Sequence, residues 1–145
     1  MTGDQPVVGA EDTQGGPASR LRVFVVEDSL TMQMALRDLL DAAADAEVLA
    51  TASSEALAMD WANANEGRWD IAIVDLTLTE GDGFSIVRRL KQQRGCGVVV
   101  VFSAYVTEVI RRHCCALGAD AVFHKTESSE LARFVETLAG QASPS

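Results

Sequence analysis

Five short apolar runs punctuate the chain, near residues 21–26, 47–51, 70–75, 97–102 and 120–124. The third, within WDIAIVD, and the fourth, within GVVVVFS, are apolar throughout. Parallel strands covered on both faces require such a pattern. Between the runs, oily positions recur at three- and four-residue steps. Met32, Leu36, Leu39 and Ala43 mark one helix, and Val106, Ile110, Cys114 and Leu117 a later one. Leu131, Phe134, Val135 and Leu138 mark the last, with Gly140 as its expected stop. Strands alternating with helices predict an α/β fold, a doubly wound five-stranded parallel sheet with helices on both faces.

Composition narrows the function classes. A chain of 145 residues, 48% hydrophobic, suits one domain with one core. A net charge of −9 argues against nucleic acid and anionic lipid as partners, since both attract basic surfaces. Residues 1–19, rich in Gly, Pro and small polar side chains, are expected to be a flexible tail. The folded domain is expected over 20–140, with a short tail over 141–145. The chain start lacks the basic and apolar regions of a signal peptide, and no run approaches the roughly 20 apolar residues of a membrane span. A cytoplasmic location is expected. Cys96, Cys114 and Cys115 do not form a disulfide framework, and HCC at His113 lacks further metal ligands, so packing thiols are expected.

In a doubly wound sheet, ligands bind beyond the carboxyl ends of the strands. There the first run ends in Glu27 and Asp28, the third in Asp75, the fourth in Ser103, and the fifth reaches Lys125. Carboxylates crowded on one rim repel unless a cation joins them. Lys125 is one such cation, and Mg²⁺, which favours oxygen ligands, fits as the second. Glu27 and Asp28 beside Asp75 therefore form a candidate metal-holding set. With a lysine and a hydroxyl in reach, the rim is equipped for phosphoryl transfer. Asp75 would be the nucleophile, and Ser103 would donate a hydrogen bond to an attached phosphoryl oxygen.

The segments VFVVEDS, DIAIVDLTLTEGDGF, VVVFSA and GADAVFHK, in that order and spacing, resemble the receiver domain of bacterial two-component response regulators over roughly residues 20–140. The resemblance implies a flavodoxin-like (βα)5 fold with strand order 2-1-3-4-5. It implies that Asp75 is the phosphoacceptor, Ser103 the switch hydroxyl and Lys125 the phosphoryl contact. Mg²⁺ would be held by Asp28, Glu27, Asp75 and the backbone carbonyl of Thr77. Gly83 matches a loop glycine where a tight turn favours that residue. A sensor histidine kinase or phosphotransfer protein would supply the phosphoryl group, and a downstream protein would receive the signal, from a monomer or a phosphorylation-dependent dimer. The chain ends about twenty residues past Lys125, mostly spent on the last helix, so output through a protein–protein face of the fourth and fifth helices is expected. A phosphate sink or relay is the other role within this class.

Some positions depart from the family pattern. Val122 stands where an aromatic is usual, with Tyr105 and Phe123 nearby as substitutes. Thr126 replaces a proline that often follows the lysine, and Thr79 replaces another. Tyr105, two past Ser103, is expected to slow loss of the phosphoryl group. Met32 and Met34 are expected in the core, and Arg88, Arg89, Lys91 and Arg94 on a solvated face, as are Arg111 and Arg112. Three alternatives stay open. A non-phosphorylated adaptor would explain Val122 and Thr126. An aspartate-dependent phosphatase would want a second aspartate where Thr77 stands. A flavin carrier would want a hydroxyl- and glycine-rich loop where EDSLT stands.

Overall fold

The computed structural model describes residues 20–43 and 45–142. The expected tail over 1–19 lies outside the described residues, as do 143–145. Five strands alternate with five helices: β1 (Leu21–Val26), α1 (Leu30–Ala43), β2 (Ala46–Ala52), α2 (Glu55–Ala64), β3 (Ile71–Val74), α3 (Gly83–Lys91), β4 (Val98–Ser103), α4 (Glu108–Ala116), β5 (Ala121–His124) and α5 (Ser128–Ala142). All pairings are parallel, in the order β2-β1-β3-β4-β5, as the resemblance implied.

The two-residue alternation of the strands sorts the core into two layers. Phe24, Val26, Ala72, Val74, Val99, Val101 and Val122 face one way, onto Ala58, Met59, Ile86, Leu90 and Cys114 of α2, α3 and α4. Val23, Val25, Ile71, Ile73, Val100 and Phe102 face the other way, onto Leu36 and Leu40 of α1 and Leu131 and Val135 of α5. Trp69 is buried in the first layer, and Trp61 stacks on Phe24 with ring centroids 4.3 Å apart, so both tryptophans are packing residues. Helix starts are capped locally: the hydroxyls of Ser54 and Thr107 accept the amides of Leu57 and Ile110, and the Asp82 carboxylate accepts that of Phe84.

Several expectations change here. Helix α5 runs through Gly140 to Ala142, two residues past the expected domain edge. Gly140 is not among the glycines of positive φ, and a glycine inside a helix costs only about 1 kcal/mol. Gly83 is needed for space and not for its φ: a Cβ there would lie 2.5 Å from the Asp75 carbonyl oxygen. Met34 is 58% exposed, away from the core. Arg89 pairs with Glu55 at 3.3 Å, Lys91 with Asp120 at 2.9 Å, and Arg111 donates to the Val122 carbonyl, so these are structural tethers as well as solvated charges. Phe123 meets Phe134 of α5 edge-on, on the face of the sheet opposite Val122, because neighbouring strand residues point apart. Tyr105 is 65% exposed. Neither ring occupies the space an aromatic at 122 would fill.

The amino edge of the sheet is held by carboxylates. Asp70 accepts the Arg22 amide at 2.7 Å and two guanidinium hydrogen bonds at 3.1 Å, while its own backbone bonds to Arg22 and Val98. Asp120 likewise accepts the Val99 amide at 2.8 Å. Burial pushes the Asp70 carboxyl up, but its hydrogen bonds and the Arg22 charge outweigh this and leave it below its ordinary value. A lowered carboxylate stabilises the fold above the ordinary value of 3.8 and loses that contribution as acid titrates it. Asp70→Ala is therefore expected to lower unfolding free energy by about 1–2 kcal/mol at neutral pH, the partial exposure keeping it from more. The gap to wild type in urea titrations closes as pH falls through the carboxylate's range.

Candidate functional site

At the opposite, carboxyl edge the acids follow directly from where the strands stop. The Glu27 amide still donates to Ala52 of β2 at 2.9 Å, and the Asp75 amide to Val26 of β1 at 3.0 Å. Both residues thus stand one step beyond the apolar part of their strands, with the ladder fixing their backbones. Both residues are 2% exposed. The fourth strand brings Ser103 to the same edge, and Lys125 follows it, its amide donating to the Ser103 carbonyl at 3.0 Å.

Lys125 joins the acids. Its ammonium lies 2.9 Å from Glu27 Oε1 and 3.0 Å from Asp75 Oδ2, so one cation from the end of β5 bridges carboxylates from β1 and β3. Ligand oxygens of Glu27, Asp28 and Asp75 all lie within 4.8 Å of one another. Three carboxylates face one ammonium, so the rim stays anionic. An all-oxygen donor set of this kind fits a hard divalent cation, with Glu27, Asp28 and Asp75 as its protein carboxylates. No other such cluster occurs among the described residues. In the HCC run, Cys114 is buried in the core and His113 packs on Phe84, whereas Cys115 is exposed and is not the packing thiol expected.

Neighbouring donors aim the carboxylates. Asp75 Oδ1 accepts the Thr77 amide and hydroxyl, both at 3.1 Å, and Asp28 Oδ2 accepts the Thr79 amide and hydroxyl, both at 2.7 Å. Glu27 Oε2 accepts the Ser29 amide at 3.1 Å, and Gln33 donates to the Glu27 carbonyl at 2.6 Å. Ser29, not an acid, caps α1: its hydroxyl accepts the Met32 amide and its carbonyl the Gln33 amide. Glu27 and Asp28 are thereby free of the capping role that acids before a helix often take. The Ser103 hydroxyl oxygen accepts the Tyr105 amide at 3.2 Å and is engaged within its own loop. Sequence reading missed the side chains of Thr77, Thr79 and Gln33. The alternation of threonines in DLTLTEGD was the available signal, since hydroxyls two residues apart on a turn favour side-chain hydrogen bonds.

Electrostatics separates the groups. Burial pushes Glu27 up, the Lys125 and Ser29 hydrogen bonds pull it down, Asp75's charge pushes it up again, and the net direction is up. The two Thr79 hydrogen bonds hold Asp28 below the usual carboxylate range. Burial lowers Lys125, but Glu27 and Asp75 outweigh it and the ammonium is held above its ordinary value.

A doubly wound sheet with a carboxylate-lined carboxyl edge and a lysine bridging it defines the class, and the chain belongs to the response regulator receiver domain family. That family's model matches residues 23–136. The chain is similar to the DNA-binding transcriptional activator DevR/DosR of Mycobacterium tuberculosis, 29% identical over 81% of this chain, and it spans about half (54%) of that relative's length. Among solved structures it is similar to a LuxR-family two-component response regulator from Aurantimonas, with TM-score 0.75 at 22% identity over 85% of this chain and 87% of that one. It is also similar to the response regulator domain of Thermotoga maritima CheB, with TM-score 0.73 at 22% identity over 87% and 100% of the two chains. Among the described residues, no helix is long and apolar enough to cross a membrane.

An acid whose folded value is raised costs stability as pH climbs from its ordinary value, here 4.5, through the folded one. Glu27→Gln is therefore expected to remove a downward slope from the stability–pH curve above that point and to leave the acid side unchanged. Urea unfolding across a pH series checks this, and parallel curves for variant and wild type would contradict it.

Proposed function

We propose that this receiver accepts a phosphoryl group on the Asp75 carboxylate from a phosphohistidine of a sensor kinase or phosphotransfer protein, in a Mg²⁺-dependent reaction. The observation that carries the reading is the Lys125 ammonium seated on Asp75 and Glu27 in a buried pocket of carboxylates. A carboxylate oxygen of Asp75 attacks phosphorus, the phosphorus–nitrogen bond of the donor breaks, and the freed imidazole takes up a proton from solvent. The product is an acyl phosphate. Water later attacks phosphorus and returns the carboxylate with release of inorganic phosphate.

In this reading Lys125 neutralises a phosphoryl oxygen, and Ser103 turns its hydroxyl from the Tyr105 loop to donate to another. Glu27, Asp28, Asp75 and the Thr77 carbonyl would hold the cation, which when bound would neutralise charge on the transferred group. The chain's own side chain is the acceptor, so it acts as a signalling domain and not as an enzyme with a separate substrate. Leu30 and Met34, 69% and 58% exposed on α1 beside the acidic rim, suit contact with the donor protein. Tyr105 and Val109, 65% and 68% exposed around the start of α4, suit contact with a downstream protein, in keeping with output from the α4 and α5 side. A bacterial cytoplasm supplies the donors this chemistry needs, and the protein acts there as a monomer or a dimer formed on phosphorylation. A second reading, a receiver-fold adaptor without phosphorylation, rests on Val122, which is 4% exposed and offers no ring to follow Ser103.

Incubation with acetyl phosphate and Mg²⁺ is expected to add the mass of one phosphoryl group to the wild type and none to Asp75→Asn. Labelling that persists in Asp75→Asn would move the acceptor elsewhere, and an unlabelled wild type would favour the adaptor. Mg²⁺ alone is expected to raise the thermal midpoint, by about 1.4 kcal/mol of added stability at ten times its Kd. The rise should vanish with a chelator and in Asp28→Asn.

A further inference from the structure

The bridge formed by Lys125 requires the chain to leave β5 and fold its side chain back over two other strands. The ladder ends at the Lys125 amide, and beyond it the Glu127 amide donates to the His124 carbonyl at 2.7 Å, closing a turn over residues 124–127. Inside that turn the Thr126 amide donates to His124 Nδ1 at 3.1 Å, and the Thr126 hydroxyl lies 2.8 Å from the same nitrogen. A ring nitrogen that accepts an amide N–H carries a lone pair, so the hydroxyl is a donor too and the neutral ring's proton resides on Nε2. From the other side, Glu127 Oε1 accepts the His124 amide at 2.8 Å. His124 is thus tied at its ring and at its backbone to the two residues that follow Lys125. Thr126 keeps an amide that a proline would lack, and the imidazole is the group that receives it.

We propose that His124 is a positioning residue: its imidazole locks the turn that sets Lys125 over Glu27 and Asp75. The turn is solvent-facing, with Thr126 exposed, so without the ring the Thr126 amide would bond to water and the fold would persist. What loosens is the placement of the ammonium, which affects rate more than stability. The kinetic part of this proposal rests on the phosphoryl-transfer reading given above.

Two variants and two readouts test it. His124→Leu removes the acceptor, whereas His124→Asn places an amide oxygen where Nδ1 stands. The readouts are the rate of labelling by acetyl phosphate with Mg²⁺ and the proton–nitrogen NMR signal of the Lys125 ammonium, assigned by its loss in Lys125→Met. His124→Leu is expected to label about tenfold more slowly and to lose the ammonium signal, with His124→Asn within about twofold of wild type and retaining it. Wild-type behaviour of His124→Leu in both readouts, or a His124→Asn no better than His124→Leu, would overturn the proposal. An unlabelled wild type counts against phosphoryl transfer alone. The ammonium signal then decides: loss in His124→Leu with return in His124→Asn sustains the positioning role, and persistence in His124→Leu refutes it. Should His124→Leu not fold, Thr126→Val, which deletes only the hydroxyl donor, is expected to slow labelling partway, and an unchanged rate and signal would overturn the proposal.

Discussion

Everything at the carboxyl edge depends on one ammonium shared by two buried carboxylates. Glu27 and Asp75 are each 2% exposed and come from strands that are direct neighbours in the sheet. Left to themselves, two such charges would repel and one would take a proton. Lys125 arrives from β5, two strands beyond Asp75, and offsets that repulsion without filling the site, because Asp28 and one oxygen of each bridged acid face other partners. The result is a pocket held together by its own lysine yet still negative enough to attract a cation.

The two ends of the sheet use the same residue types for opposite purposes. At the amino edge, both oxygens of Asp70 are taken by the Arg22 amide and guanidinium, and one oxygen of Asp120 by the Val99 amide and Lys91, which ties strand ends together. At the carboxyl edge, Glu27 and Asp75 are aimed by the amides of Ser29 and Thr77 two residues on, and Asp28 by Thr79 from the loop after β3. Those contacts hold single oxygens in place, and the groups remain gathered around a common point. The carboxyl end tolerates charge crowding that the tethered end has relieved. Burial is the leading cause of the raised Glu27, and the Thr79 hydrogen bonds are that of the lowered Asp28.

Much of this was legible in the chain itself. The apolar runs place all five strands to within a residue or so, most plainly β1, β3 and β4, whose two faces are both covered. The rule that ligands gather at carboxyl ends then selected Glu27, Asp28, Asp75, Ser103 and Lys125. Periodicity could not show that α5 continues through Gly140, because an exposed glycine with ordinary helical φ leaves the pattern intact. Nor could it show that Phe123 and Val122 point to opposite faces in a way that rules out one replacing the other, which required the strand's register. Thr77 was read for its backbone carbonyl, and Thr79 and Thr126 as replacements for proline, so only the folded turns reveal which partner each side chain finds. Arg89, Lys91 and Arg111 read as solvated charge because their partners, Glu55, Asp120 and the Val122 carbonyl, lie 34, 29 and 11 residues away.

An acyl phosphate is cleaved by borohydride, which converts the aspartyl residue that carried it into homoserine. The most direct measurement of the central claim is therefore to phosphorylate the protein, reduce it, digest it and sequence the peptide spanning DIAIVDLTLTEGDGF by mass spectrometry. Homoserine at position 75, dependent on prior phosphorylation, is the predicted result. Homoserine at Asp28 or Asp82 with Asp75 intact would contradict it.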